Sequence, residues 1–485
     1  MADFNYYNFT GGIDLVSAKI NVGQSQKKCY WSDAQNVEIY KNSGITRMDG
    51  NTLLVDAGPE ILGLFEYRIE DNKRLVVNAA DGIFYLWNGS TLIPQKTGLS
   101  TTAKCSYVNY LDGVVVTNGV NDPFIFTEGT GVNQCSAPAV SNVVASYKGR
   151  LWLANGGTLY YSSLGKYNVW ITDEDDDGGN ITNFHNDYSD IKAIFPYKDY
   201  LAIHRQDQVY LLVGDDNTEN FSIVPFADKG GDSPLGITNF ENKQYFFDNG
   251  VFTLEPGKNG QIQISSEVSE IIKPIFNDID RSRLNETFIV NYPEKKYIIF
   301  YLPFKNVDNF KTALIFDVVN KAWIKRVTPQ EITYACLFNN YVYIGTSDGK
   351  ILKEFTGNTF NGNAIDFYWE SPFFHFGNPI KRKTIDECHL TYDNIKDNNF
   401  DVDVYVDFNI SVIDDNFTVF VTDEDDLIID EGYWDDDSFA SESEITERES
   451  ISGSYKSWKL KFSGDKVNQG IALLGLSFID VLLDD

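Results

Sequence analysis

Residues 147–161 read YKGRLWLANGGTLYY. Two apolar or aromatic runs, Leu151-Trp152-Leu153 and Leu159-Tyr160-Tyr161, flank the turn Asn155-Gly156-Gly157, and a second turn, Lys148-Gly149, stands ahead of the first run. Runs of this kind bounded by Asn and Gly predict antiparallel strands joined by tight turns, because these residues reach the left-handed backbone that short hairpins need. The phrase recurs. Leu201-Ala202-Ile203 and Val209-Tyr210-Leu211-Leu212 flank Arg205-Gln206-Asp207 in the same way. First turns fall at Asp71-Asn72, Asp112-Gly113, Lys148-Gly149, Lys198-Asp199, Glu241-Asn242, Glu294-Lys295 and Asn339-Asn340, at intervals of 41, 36, 50, 43, 53 and 45 residues.

A period near 45 is too long for one hairpin and suits a four-stranded unit. About ten residues after most first turns comes a second: Asp81-Gly82, Asn121-Asp122, Gly156-Gly157, Gln206-Asp207, Asn249-Gly250 and Ser347-Asp348-Gly349. Each unit is therefore a three-strand meander with room for a fourth, half-exposed outer strand. A lone meander cannot bury both faces, so radial stacking into a closed ring is the economical arrangement. The expectation is an all-β chain containing a β-propeller of six or seven blades. Six stays open because one of the turns can be assigned to a closing clasp.

Around this repeat the sequence divides into an N-terminal extended arm or clasp (1–59), the propeller (60–360) and a C-terminal acidic antiparallel β domain, sandwich-like (361–485). In the arm, Trp31-Ser32-Asp33-Ala34-Gln35-Asn36 has brief helix propensity, with Ser32 or Asp33 as cap. Beyond Ala364 the period stops and simple alternation begins: Ile365-Phe367-Trp369, Val402-Val404-Val406, Val419-Val421, and Trp458-Leu460-Phe462 against Lys459 and Lys461. The nearly continuous apolar run from Ile471 to Leu483 predicts a buried strand, and Asp423 to Glu449 a long acidic loop.

The 485 residues are 42% hydrophobic, and 14% are aromatic, mostly Phe and Tyr, with only two Met; pleated, half-buried surfaces are favoured over helical packing. The five cysteines, Cys29, Cys105, Cys135, Cys336 and Cys388, lack ligand spacing and read as buried thiols. Neither a basic, apolar leader nor a run of about 18 apolar residues is present, which suggests a soluble protein that matures in a cytoplasm and does not insert into membranes. A net charge of −30 disfavours specific nucleic-acid binding, which draws on counterion release from phosphate. Residues 390–485 hold 24 Asp and Glu against 6 Lys and Arg. This is either a solvated face that keeps the protein soluble or a wall past which DNA slides without sticking.

Chemistry is sparse. Asp173, Asp175 and Asp177 before Gly178 imitate the opening of a calcium loop, but the position that should carry the closing Glu is Phe184; an ion site and a solvated loop tip both remain open. His185, His204, His375 and His389 have no ligand-spaced neighbours, and adjacent Cys388 and His389 would face opposite sides of a strand. No GxSxG, HExxH or P-loop spacing occurs, nor the repeated Ser-x-Asp-x-Gly-x-x-Trp boxes expected of a sialidase-type propeller. Gly11-Gly12 and Gly156-Gly157 read as turn glycines. The expectation is a protein that is not an enzyme and takes no cofactor.

The N-terminal block runs Phe9-Thr10-Gly11-Gly12-Ile13-Asp14, then Asp33-Ala34-Gln35-Asn36-Val37-Glu38-Ile39, then Gly44-Ile45-Thr46-Arg47-Met48-Asp49-Gly50. It resembles the opening of tailed-phage virion propellers, with one extra residue between Arg47 and Gly50. Phe367-Tyr368-Trp369-Glu370-Ser371-Pro372 and Phe376-Gly377-Asn378-Pro379-Ile380-Lys381-Arg382-Lys383 are similar to the transition after the propeller in the same proteins. The family is the tail nozzle, or tail tubular protein B type, of short-tailed bacteriophages. The resemblance implies a structural virion protein, made in the host bacterial cytoplasm and incorporated in the phage tail. It implies a homo-oligomeric ring, usually of six copies, below the portal and adaptor, contacting adaptor and fibre or plug proteins, with DNA passing through without specific binding. On that reading the acidic loop residues Asp423, Glu424, Asp425, Asp426, Asp435, Asp436 and Asp437 are candidates to line the channel or an interface. The alternative from another class is a glycan-binding or glycan-cleaving propeller of a receptor-binding tail component, for which an aromatic-lined pocket at the axis is the sign.

Overall fold

The computed structural model describes residues 2–17, 29–40, 43–69, 72–258, 261–305, 310–385, 387–393, 399–420, 444–449, 453–467 and 469–483. Its repeat region forms seven four-stranded antiparallel sheets. Six are continuous in sequence, at 61–96, 106–134, 143–181, 193–227, 237–264 and 288–327, and are called blades 1 to 6. The seventh combines 332–354 with Asn51–Asp56, which pairs antiparallel with Lys350–Glu354. The innermost strand of each blade packs against that of the next, and Ile332–Phe338 returns to Ile61–Ile69, so the ring closes. Blade 7 is thus completed by a strand from the segment read as an arm, and the open choice between six and seven blades resolves to seven.

Among the described residues, the first turns of blades 2 to 7 join the innermost strand of each blade to the second. Lys148 and Lys198 have φ of 49° and 54°, and Asn339 and Asn340 48° and 66°. Such backbone matches the twist of the strands it connects. Alternation along the strands then sends apolar residues between blades. In blade 3, for example, Trp152, Leu159 and Tyr161 share a core with Ile194, Leu201 and Ile203 of blade 4.

Residues outside the ring form two larger sheets. One has five strands in the order Asp415–Phe420, Asn399–Val406, Trp458–Gly464, Phe367–Glu370 and Asp33–Gln35. The other is built on Ala472–Leu483, which pairs with Ala2–Tyr6, Ile45–Arg47, Glu387–Asp393 and Lys383–Thr384. Trp369, Phe462 and Phe400 of the first sheet and Leu476 and Phe478 of the second are fully buried in one core. The buried final strand is as expected from its composition.

Two local expectations are corrected. Trp31 to Asn36 contains no helical turn: Tyr30–Trp31 and Asp33–Gln35 are strands. Tyr30–Trp31 pairs parallel with Gly12–Ile13, and the partner of Asp33–Gln35 lies hundreds of residues away, at Phe367–Glu370, so tertiary pairing overrides a weak local preference. Glu444–Glu449, assigned to the acidic loop, is a strand paired with Cys388–Asp393. The candidate residues Asp423, Glu424, Asp425, Asp426, Asp435, Asp436 and Asp437 lie outside the described residues.

Candidate functional site

Two places gather polar side chains from distant parts of the chain: the junction between ring and C-terminal sheets, and the propeller axis.

At the junction, the N-terminal motif residues act as fasteners. Asn36 inserts its carboxamide between elements: Nδ2 donates to the carbonyls of Val327 and Asp366, each at 2.8 Å, and Oδ1 accepts from Val327 N–H. Asp33 takes Lys325 at 3.0 Å and the Tyr368 hydroxyl at 2.7 Å. Glu38, on the next strand, holds Lys295 at 2.6 Å and the Tyr297 hydroxyl at 3.0 Å in blade 6. Arg47 donates to the Gln469 carbonyl at 2.7 Å. Gly11 and Gly12 are packing glycines rather than turn glycines alone. A Cβ on Gly11 would lie 2.2 Å from the Cys29 carbonyl oxygen, and one on Gly12, whose φ is +69°, 2.8 Å from the Trp323 backbone. Two of the motif blocks are neighbours in space, since Asp33–Gln35 and Phe367–Glu370 are paired strands.

Beneath this junction lies a buried ion pair that secures the ring closure. Arg326 Nε donates to Glu354 Oε2 at 2.6 Å, and the two side chains are 1% and 0% exposed. The rest of the guanidinium donates to the carbonyls of Asp49 and Gly50, and Asn51 donates to the other Glu354 oxygen. Blade 6, blade 7 and the closing strand are tied by one charge pair whose hydrogen bonds are nearly complete, the condition for such a pair to survive burial.

The axis is hollow. A cavity of about 410 Å3 is lined by the innermost strands of all seven blades, with Phe65, Tyr107, Phe195, Phe288 and Tyr334 as its aromatic walls. Phe65 stacks on Tyr107 at 5.4 Å, and Phe288 lies parallel to Tyr334 at 6.3 Å. A second cavity, of about 570 Å3, opens where the chain leads into the innermost strands. Ser106, Pro234 and Leu235 line both, so the two are sections of one axial space. Glu60, Lys104, Asp190, Lys192, Asp232 and Glu286 give the second section its charge.

Lys104 is the unusual member. Its Nζ is buried without a hydrogen-bond acceptor among the described residues and sits 5.0 Å from the ring centroids of both Phe288 and Phe310. Burial pulls its pKa down to about 8, with Glu286 and Glu60 opposing the shift. Burial also raises Glu60 and Asp232 above the usual carboxylate range. Glu286 is held below it, chiefly by its hydrogen bonds from Arg283. These residues come from segments between blades, where the sequence has no regular spacing. The only sequence-level hint was a lysine directly ahead of an apolar inner strand, Lys104-Cys105-Ser106-Tyr107-Val108.

The aspartate-rich segment is not assembled as an ion loop. Asp177 turns inward to Arg150, whose guanidinium holds its carboxyl down at about 2. Asp173 accepts the N–H groups of Asp175 and Asp176, and Asp176 pairs with Lys166. Among the described residues no group of three or more His, Cys, Asp or Glu side chains converges as a metal site. The histidines are dispersed: His204 is buried in blade 4 against Gln244, His185 reaches the Ile223 carbonyl, and His389 pairs with Glu387. Cys388 faces the core while His389 is half-buried, as the alternation requires. All five cysteines are buried thiols.

No protein-family model and no curated protein matches the chain. Solved structures that resemble it include a computationally designed protein, Ika8, at 13% identity and a TM-score of 0.39, covering 64% of this chain and 100% of that one. Another is the extracellular domain of a hybrid two-component system, BT4673, from B. thetaiotaomicron, at 10% identity and 0.45, covering 66% and 44%. A third is BBS1N in complex with ARL6DN, at 12% and 0.42, covering 64% and 97%. Likeness at this level carries no activity, ligand or partner to this chain.

Proposed function

We propose that this chain is a structural component of a short-tailed phage tail, a nozzle-type subunit that assembles with its own copies into a ring around the DNA ejection path. The observation that carries the reading is the use made of the family-like motif residues. Gly12, Asp33, Asn36 and Glu38 tie the flanking sheets to the ring, which suits a part that transmits force in an assembly.

One feature of the fold narrows how such a ring would work. The axial cavity has the size of a small-molecule pocket and is walled by aromatic side chains, so a duplex cannot thread a single propeller. The DNA path in this proposal therefore runs between copies, with the net charge of −30 keeping phosphate from adhering to its walls. Negative-stain imaging of the purified chain with symmetry classification tests the proposal. Closed rings, six-fold by the resemblance, are expected; a persistent monomer that also fails to enter any tail preparation overturns it.

A further inference from the structure

Four aliphatic side chains stand out in solvent at one end of the C-terminal sandwich. Ile380 lies in the turn before Lys383–Thr384, and Ile410, Val412 and Ile413 lie in the loop joining Asn399–Val406 to Asp415–Phe420. All four are between 47% and 80% exposed. The loops that carry them are built rather than slack. The Lys383 ammonium donates to the carbonyls of Asn378, Lys381 and Lys456, which ties the first turn to the chain at 456. Lys456 N–H donates to Asp407 at 2.6 Å and Phe408 N–H to Ser457 Oγ at 3.0 Å, which adds the second loop. Asp407 and Phe408 hold left-handed backbone, with φ of 53° and 59°, and the Phe408 ring packs on buried Phe373. A bulky residue in that conformation is strained, so an aromatic anchor is used here to hold aliphatic groups out in water. Apolar groups gathered at the surface in this way mark an interaction surface.

The neighbouring charges indicate what the tip meets. Asp407 faces Arg382, and Asp414 accepts from the Tyr455 hydroxyl. Lys381 and Lys456 are exposed and form no ion pair among the described residues. Two such tips would bring these ammonium groups together, which disfavours tip-to-tip contact. The loop between the third and fourth strands of blade 3, residues 162–178, has the matching character. Leu164 and Ile171 are 52% and 62% exposed there, over an anchor in which the buried Trp170 donates to the Cys135 carbonyl. Beside them Glu174 and Asp175 are exposed and form no ion pair among the described residues.

The two surfaces lie on opposite sides of the molecule. Gly12–Ile13, Asp33–Gln35 and Val37–Ile39 pack on Ala322–Val327 of blade 6, and the strand Asn51–Asp56 leads on from Ile45–Arg47 into blade 7. In the closed ring of seven, blade 3 is three places from blade 6 and three from blade 7, across the disc from the flanking sheets.

We propose that the sandwich tip of one copy docks on the 162–178 loop of the next, with Ile410, Val412 and Ile413 against Leu164 and Ile171, and Lys381 and Lys456 facing Glu174 and Asp175. A contact between unlike surfaces on opposite sides repeats from copy to copy and closes into a ring when the rotation permits. The inference deepens the ring reading and rests on it.

Disulfide trapping on the full chain tests it, since the five native cysteines are buried. Val412→Cys combined with Ile171→Cys should give, on mild oxidation, a ladder of linked oligomers on a non-reducing gel, absent from either single variant. Lys381→Glu with Lys456→Glu should weaken self-association roughly tenfold or more by light scattering, and adding Glu174→Lys with Asp175→Lys should restore it. These four side chains are exposed, and a thermal melt verifies that the fold survives their exchange. Rings that form without the cross-link, or that tolerate the first charge reversal, overturn this contact and leave the ring reading standing. A chain that stays monomeric at every concentration overturns both.

Discussion

Two buried cations in this chain are treated in opposite ways, and the contrast yields separate predictions. Arg326 is fully paired with Glu354 and backbone carbonyls. Glu354→Ala strands that guanidinium without a counter-charge, and chemical denaturation should report a loss of about 3–5 kcal/mol, the usual consequence of breaking a buried pair from one side. Lys104 is unpaired, and Lys104→Met should raise stability at pH 7 by about 1–3 kcal/mol. The pH dependence has a definite sign. The unfolded lysine titrates near 10.5 and the folded one near 8, so between these values the unfolded state holds a proton that the folded state has released. Stability from this group therefore rises with pH across that window, and its full penalty is present below about 8. The gap between Lys104→Met and the parent should be largest at pH 7 and close as pH climbs from 8 towards 10.5, read as the difference in melting temperature. Glu60, Glu286 and Arg283 face this ammonium, and taking differences between the two proteins cancels most of their own titration.

Among elements, the strand Asn51–Asp56 has the largest consequence for its length. It supplies the outer strand of blade 7, although the rest of that blade begins nearly three hundred residues later. Sequence closure of this kind joins the two ends of the ring, so its loss removes an edge that nothing else covers. A chain lacking residues 1–56 also loses Ala2–Tyr6, Asp33–Gln35 and Ile45–Arg47 from the flanking sheets and should melt at a lower temperature for both reasons; the effect specific to the closing strand is trypsin cleavage at Lys350 and Lys353 of the uncovered edge, which the full chain resists. Undiminished resistance at these two lysines would mean that the remaining blade contacts close the ring unaided. The same segment shows where reading elements from sequence fails. Asn51 to Asp56 looked like part of an irregular arm because an outer strand is half exposed and alternates weakly. Asp33–Gln35 looked helical because its partner, Phe367–Glu370, lies far along the chain. By contrast, the first turns of blades 3, 4, 5 and 7 are legible, since short polar turns between apolar runs mark them, and left-handed backbone is found there at Lys148, Lys198, Asn242 and Asn339.

For the whole molecule, blades 5 to 7 and the sandwich share one apolar core that includes Trp31, Trp323, Trp369 and Phe462, and smaller clusters between neighbouring blades carry the packing around the rest of the ring. The two parts should therefore unfold as one cooperative unit, and calorimetry should show a single transition rather than two. This rigidity is compatible with a part in a larger assembly, and it makes the axial cavity a preformed one.

The repeat, the all-β class, the separate C-terminal alternation and the buried last strand are legible in the sequence, because each is written in short-range patterns of turn residues and apolar runs. The blade count, the closing strand, the fastening role of Asp33, Asn36 and Glu38, and the gathering of Glu60, Lys104, Asp232 and Glu286 at the axis emerge with the folded chain. These depend on contacts between residues tens to hundreds of positions apart. A single sequence carries no periodic mark for such contacts, since what brings the groups together is the angle at which seven blades close.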